Sequence, residues 1–138
     1  MILDSFLYLA DAITVGSSTA AVLTTSYVDT LAKGDDYNGC FVVFFAETAV
    51  LSGTAGATVT FNLLHCDTTV SSAFTTCVSS GAIDDATVVA GYQVALKIPP
   101  KDVKRYLMGS IVTTQVTTSG TVSVFLTKDV DVNANMVA

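Results

Sequence analysis

Residues Thr87–Ile98 alternate strictly. The even positions are Val88, Ala90, Tyr92, Val94, Leu96 and Ile98; the odd ones are Thr87, Val89, Gly91, Gln93, Ala95 and Lys97. Strand side chains point to opposite faces with period two, so this stretch predicts a strand with one face on a core. Pro99-Pro100 ends it, because proline cannot donate to a ladder. Ala57–His65 repeats the pattern, with Val59, Phe61 and Leu63 against Thr58, Thr60 and Asn62. The run Cys40–Ala46 is apolar on both faces, which predicts a central strand whose outer face is also covered. No stretch holds the 3.6-residue period of an amphipathic helix.

Further strands are read at Phe74–Val78, at Arg105–Thr117 (long enough for a bulge near Gly109), at Ala12–Val15 and at Tyr27–Leu31. Turn signals separate them at Lys33–Asp36, Ser52–Gly56, Ser79–Gly81 and Ile83–Asp85. The last two long strands read as a hairpin. A three-residue loop Thr118-Ser119-Gly120 pairs Val116 with Val122 and Val112 with Leu126, so every apolar partner matches. It also puts glycine where a type I turn with a G1 bulge needs positive φ. The expected fold is all-β: a single-domain, jelly-roll-like sandwich of about eight strands over residues 1–138, without repeat or linker.

Composition agrees. Thr and Val are the commonest residues, charged residues are 13% and hydrophobic ones 51%. A charge-poor, apolar-rich chain is not disordered. By area–mass scaling it buries about two thirds of the roughly 21,000 Å² its extended form exposes, enough for a core without metal or disulfides. Net charge is −6 with five Lys and one Arg, so no basic patch for nucleic acid is expected. The longest apolar run is the seven residues Cys40–Ala46, against about twenty for a membrane-spanning helix. Asp4 stands where a signal peptide needs positive charge, so a soluble chain with no membrane partner is expected.

Catalysis finds little footing. There is one His, His65, and one Glu, Glu47, and general acid–base work leans on such groups. His65 reads as a hydrogen-bonded strand-end histidine and Glu47 as a solvated loop-start carboxylate. Paired acids at Asp35-Asp36, Asp84-Asp85 and Asp129-x-Asp131 read as solvated turn acids, with calcium in one loop as the alternative; EF-hand spacing is absent. The three cysteines Cys40, Cys66 and Cys77 are an odd number, which argues against a secreted disulfide framework. Free thiols, a Cys66–Cys77 bridge and a metal site through His65 are the readings weighed; no C-x₂-C pair supports the last. No enzyme, cofactor or resident metal is expected.

The ends carry more. Met1–Ala10 holds Ile2, Leu3, Phe6, Leu7 and Tyr8, and the tail 129–138 alternates and ends on Met136 and Val137. Loose termini are normally polar. Either both ends add edge pairing to their own domain, or at least one crosses to a neighbouring chain.

The order of several short motifs resembles the capsid cement (decoration) proteins of tailed phages, Bordetella-phage type. They are Met1-Ile2-Leu3-Asp4, then Phe61–Asp67 followed by Ser72-Ala73-Phe74, then Gly81-Ala82-Ile83 with Ala90-Gly91. Arg105-Tyr106-Leu107 after the Pro99-Pro100 bend, and the closing Met136-Val137-Ala138, complete the series. Met108-Gly109-Ser110 and the lack of aromatics in the tail depart from the family pattern, so none of its contact positions is carried over. The resemblance implies a jelly roll that sits as a homotrimer on local three-fold axes, clamps the major capsid protein and works without a reaction. It implies manufacture in the host cytoplasm and a place on the outer capsid surface of the virion. The contact residues expected from the chain itself are Ile2, Leu3, Phe6, Leu7, Tyr8, Arg105, Val132, Met136 and Val137, Arg105 being the only arginine. The alternative is a carbohydrate-binding sandwich module of a host-recognition apparatus; a small jelly-roll hydrolase is a remote third.

Overall fold

Two sheets face each other and trap the apolar faces of their strands between them. The structure, a computed structural model, describes residues 8–15, 22–24, 27–29, 40–99, 103–127 and 135–137. Its strands are β1 (Tyr8–Thr14), β2 (Val22–Leu23), β3 (Val28–Asp29), β4 (Phe41–Leu51), β5 (Thr58–Cys66) and β6 (Thr75–Ser79). They continue with β7 (Ile83–Asp84), β8 (Gln93–Lys97), β9 (Tyr106–Thr113), β10 (Ser119–Thr127) and β11 (Asn135–Val137). Single-turn 3₁₀ helices lie at Ser71–Ala73 and Asp85–Thr87, and there is no α-helix among the described residues.

One sheet runs β1-β10-β4-β8-β11; the other runs β2-β9-β5-β6, with β3 also on β9 and β7 also on β5. Taking β2 with β3 and β6 with β7 as interrupted single strands leaves eight positions before β11. The first pairs with the eighth (β1–β10), the second with the seventh (β2/β3–β9), the third with the sixth (β4–β8) and the fourth with the fifth (β5–β6). This nesting is the rolled-up double Greek key of a jelly roll, as the alternation implied. All pairs are antiparallel except β11 on β8.

The core is built from the expected positions. Val59, Phe61 and Leu63 of β5 pack with Val94 and Leu96 of β8, with Ile98 just after it, and with Val42, Phe44 and Ala46 of β4. Phe44 and Phe61 meet across the two sheets with ring centroids 5.1 Å apart. β4 is the middle strand of its sheet. Its other face carries Val43, fully buried with Ala95 and Phe125, and flanked by Phe41 and Phe45. On the outer face of the doubly apolar run Cys40–Ala46, Val43 is covered, while Phe41 and Phe45 stay partly exposed. All three cysteines are free thiols, so the Cys66–Cys77 bridge is not formed.

The expected terminal hairpin is wrong. β9 pairs with β5 while β10 pairs with β4 and β1, so the two consecutive strands lie in different sheets. Val122, Val124 and Leu126 of β10 do lie in the core, but with Leu107 and Ile111 of β9 and not with Val112 and Val116; alternation cannot tell a strand opposite from a strand beside. The core face of β9 is Leu107 and Ile111, whereas Val112 is only partly buried and Val116 is 49% exposed. Gly120 does have positive φ (+140°), but at a register shift against β4, where a side chain would strike Val50. The bulge expected near Gly109 is absent: β9 pairs with β5 in unbroken register from Thr113 to Tyr106. β8 begins at Gln93 and not at Thr87, because the 3₁₀ turn at Asp85–Thr87 and a turn at Ala90–Gly91, with φ +88° at Gly91, occupy the earlier residues.

Candidate interaction surfaces

The chain's two ends border the same sheet. β1 lines one edge, with Tyr8 opposite Phe125, and β11 lines the other, with Met136 opposite Ala95 and Val137 opposite Leu96. Of the two readings left open for the termini, own-chain edge pairing describes residues 8–14 and 135–137. Ile2, Leu3, Phe6, Leu7 and Val132 lie outside the described residues.

Arg105 finds its carboxylate within the chain. Its Nε donates to Asp29 Oδ1 at 2.7 Å and its Nη2 to Asp29 Oδ2 at 2.9 Å, a bidentate fork. β3 sets this up by pairing Asp29 with Tyr106, the residue after the arginine. The guanidinium lies 5.0 Å from the centre of the Tyr106 ring, and Tyr27 stands edge-on to that ring at 5.3 Å. Its hydrogen bonding to Asp29 raises the arginine pKa above its already high value. Tyr27 is 46% exposed and the Arg105 side chain 42%. The sequence placed Arg105 alone; the fold adds Tyr27, Asp29 and Tyr106. The signal was present only as a tyrosine one residue after Arg105 and another two residues before Asp29. Tyrosine and arginine are the residue types that anchor protein interfaces.

Beside this cluster, His65 Nδ1 accepts the backbone N–H of Lys104 at 3.3 Å. The imidazole is the hydrogen-bonded strand-end histidine expected. Burial, then the Lys104 charge, lower its pKa, against a smaller opposing effect of Asp67. The next residue, Cys66, is buried, and its Sγ lies 3.4 Å from the Thr68 hydroxyl and 3.5 Å from the Thr68 N–H. Those bonds from Thr68 lower the thiol pKa.

Asp85 departs from the solvated-turn reading, and Glu47 from the loop-start one, since β4 runs past it to Leu51. Asp85 is buried, and its Oδ2 accepts the Ser52 N–H at 3.0 Å and the Ser52 hydroxyl at 2.9 Å. These bonds, the backbone one first, lower its pKa. The residue clips the end of β4 to the turn before β8. Asp84 is exposed and caps that turn through the Ala86 N–H. Glu47 is exposed yet engaged: the buried Ser123 hydroxyl donates to its Oε1 at 2.9 Å. Ser123 also accepts the N–H of Ala12, which holds that residue at φ +49° in the β1 bulge. Asp35, Asp36, Asp129 and Asp131 lie outside the described residues. Among the described residues no three His, Cys, Asp or Glu side chains come together as a metal set.

Compared with known proteins, the chain matches the Bbp16 family model over residues 9–126, from β1 to within β10. The match points to a Bordetella phage protein family. No curated protein matches it.

Proposed function

This chain belongs to the Bbp16 family, and from that premise we propose that it is a non-catalytic cement protein of a tailed-phage head. In this reading it binds as a homotrimer across subunits of the major capsid protein on the outer surface of the virion. The observation that carries the reading is the extent of the family match, which takes in nearly the whole jelly roll. The physics supports it. A stiff two-layer sandwich transmits load, and three linked copies of one weak contact raise avidity by roughly 10²–10⁴. The single histidine and single glutamate are both engaged in holding the fold together. The proposed contacts are the N-terminal Ile2, Leu3, Phe6, Leu7 and Tyr8, the tail Val132, Met136 and Val137, and Arg105 with its tyrosine neighbours.

The test is light scattering on the purified protein, which should give roughly three times 14.3 kDa, followed by co-sedimentation with heads. Removing residues 1–7 leaves β1 intact and should abolish decoration while the sandwich still folds. A protomer that stays single at high concentration and leaves heads undecorated sinks the reading.

One observation favours the alternative of a glycan-binding module of a host-recognition apparatus: Tyr27 and Tyr106 come together beside the Arg105–Asp29 pair. Binding on a glycan array that Tyr27→Ala removes would support it.

A further inference from the structure

We propose that His65 is a proton-operated latch: acidification breaks its bond to Lys104 and disassembles the Tyr27–Tyr106–Arg105–Asp29 cluster. A neutral imidazole has one nitrogen that accepts and one that donates. Nδ1 accepts from the Lys104 N–H, so the ring proton sits on Nε2. Protonation places a second N–H on Nδ1, directly against the Lys104 N–H. The bond cannot survive in that state.

The surroundings fix which way the latch rests. Burial and the Lys104 charge oppose a second proton on the ring; Asp67, in the loop after β5, favours it and is outweighed. The residues paired with His65 on the neighbouring strands are Leu107 and Thr75, neither charged. Its chain neighbour Cys66 bonds to Thr68. Arg105 and Asp29 neutralise each other one residue beyond Lys104. The ring is therefore neutral and latched near neutral pH and opens below the ordinary histidine value.

The movement is short and its target is specific. Val103 and Leu107 are both buried in the core, so the strain falls on the three residues between them. Those are Lys104, Arg105 and Tyr106, two of which belong to the cluster. A fork at 2.7 and 2.9 Å and a cation stacked on a ring are lost on small displacements of the backbone that carries them.

NMR on the full-length protein decides the matter. Between pH of about 7.5 and 5, the His65 ring signals, the Lys104 amide and the Tyr27 and Tyr106 ring signals should move with one common midpoint below the ordinary histidine value of about 6.5. Exchange of the Lys104 amide, corrected for its intrinsic pH dependence, should speed up about fivefold, the worth of one hydrogen bond. His65→Asn keeps an acceptor near the Nδ1 position and does not titrate, so it should flatten every response. His65→Phe removes the acceptor and should show the acid-state tyrosine signals already at neutral pH. Tyrosine signals that stay still while His65 titrates overturn the proposal, and so does a tyrosine transition that persists in His65→Asn. Should His65→Phe not fold, the wild type and His65→Asn still decide it.

Discussion

Gly109 of β9 lies beneath Val124 of β10. A Cβ on Gly109 would stand 3.2 Å from Val124 Cγ1 and 2.9 Å from Thr24 Cγ2. Thr24 cannot swing aside freely, because its hydroxyl accepts the Gly109 N–H at 3.1 Å and its own N–H donates to the Gly109 carbonyl at 2.9 Å. Gly109→Ala should therefore destabilise the fold by about 1–3 kcal/mol through overpacking. Chemical denaturation measures it, and an unchanged midpoint contradicts the account.

Phe61 is nearly fully buried and packs on Phe44 of the opposite sheet. Phe61→Ala should cost about 3–5 kcal/mol, because little around the ring can collapse into the space. Val116→Ala serves as the control, since that side chain is half exposed, and should move stability by less than about 0.5 kcal/mol.

Acid should loosen the clip between Ser52 and Asp85. The folded pKa of Asp85 lies below its ordinary value of 3.8, through the Ser52 hydrogen bonds. The stability it contributes is present above that value and is lost as pH falls through the folded pKa. Asp85→Asn should lower Tm by about a few degrees near neutral pH, and its difference from the wild type should shrink on acidification below about pH 4. A difference that stays constant down to strong acid contradicts the clip. The histidine latch acts in a separate window. Its lowered pKa also removes stability as pH falls, but this begins near 6.5.

Deleting residues 135–138 strips β11 from β8 and bares the backbone of residues 94–96 along the sheet edge. The sandwich should remain folded, with Tm lower by about a few degrees and with concentration-dependent self-association from the open edge. Light scattering of the truncated chain after heating and cooling reads this. Unaltered behaviour would mean that β11 contributes nothing to the edge.

Strand faces were legible in the sequence where burial alone sets the pattern. Val59, Phe61 and Leu63 lie inside, and the doubly apolar Cys40–Ala46 lies in the middle of a sheet. Partners were not legible. Val122, Val124 and Leu126 fit a strand beside them as well as a sheet opposite them, and periodicity carries no information about which one is real. Asp85 looked like its exposed neighbour Asp84, because only the approach of Ser52, distant in the chain, makes it a buried acceptor. Arg105 was singled out for its scarcity. Its carboxylate, Asp29, and its aromatic neighbour Tyr27 are brought in by β3, a two-residue strand too short to announce itself.

The nested pairing also dictates an order of assembly. The β5–β6 hairpin joins residues close in sequence, from His65 with Thr75 to Asn62 with Ser79, so its loop closes at small entropic cost. Every other layer joins segments progressively farther apart, ending with Tyr8 on Phe125. Chains ruled by such distant contacts fold slowly. During synthesis the first strand leaves the ribosome long before its partner exists. Leu9, fully buried in the finished core, must wait in solvent until β10 has emerged.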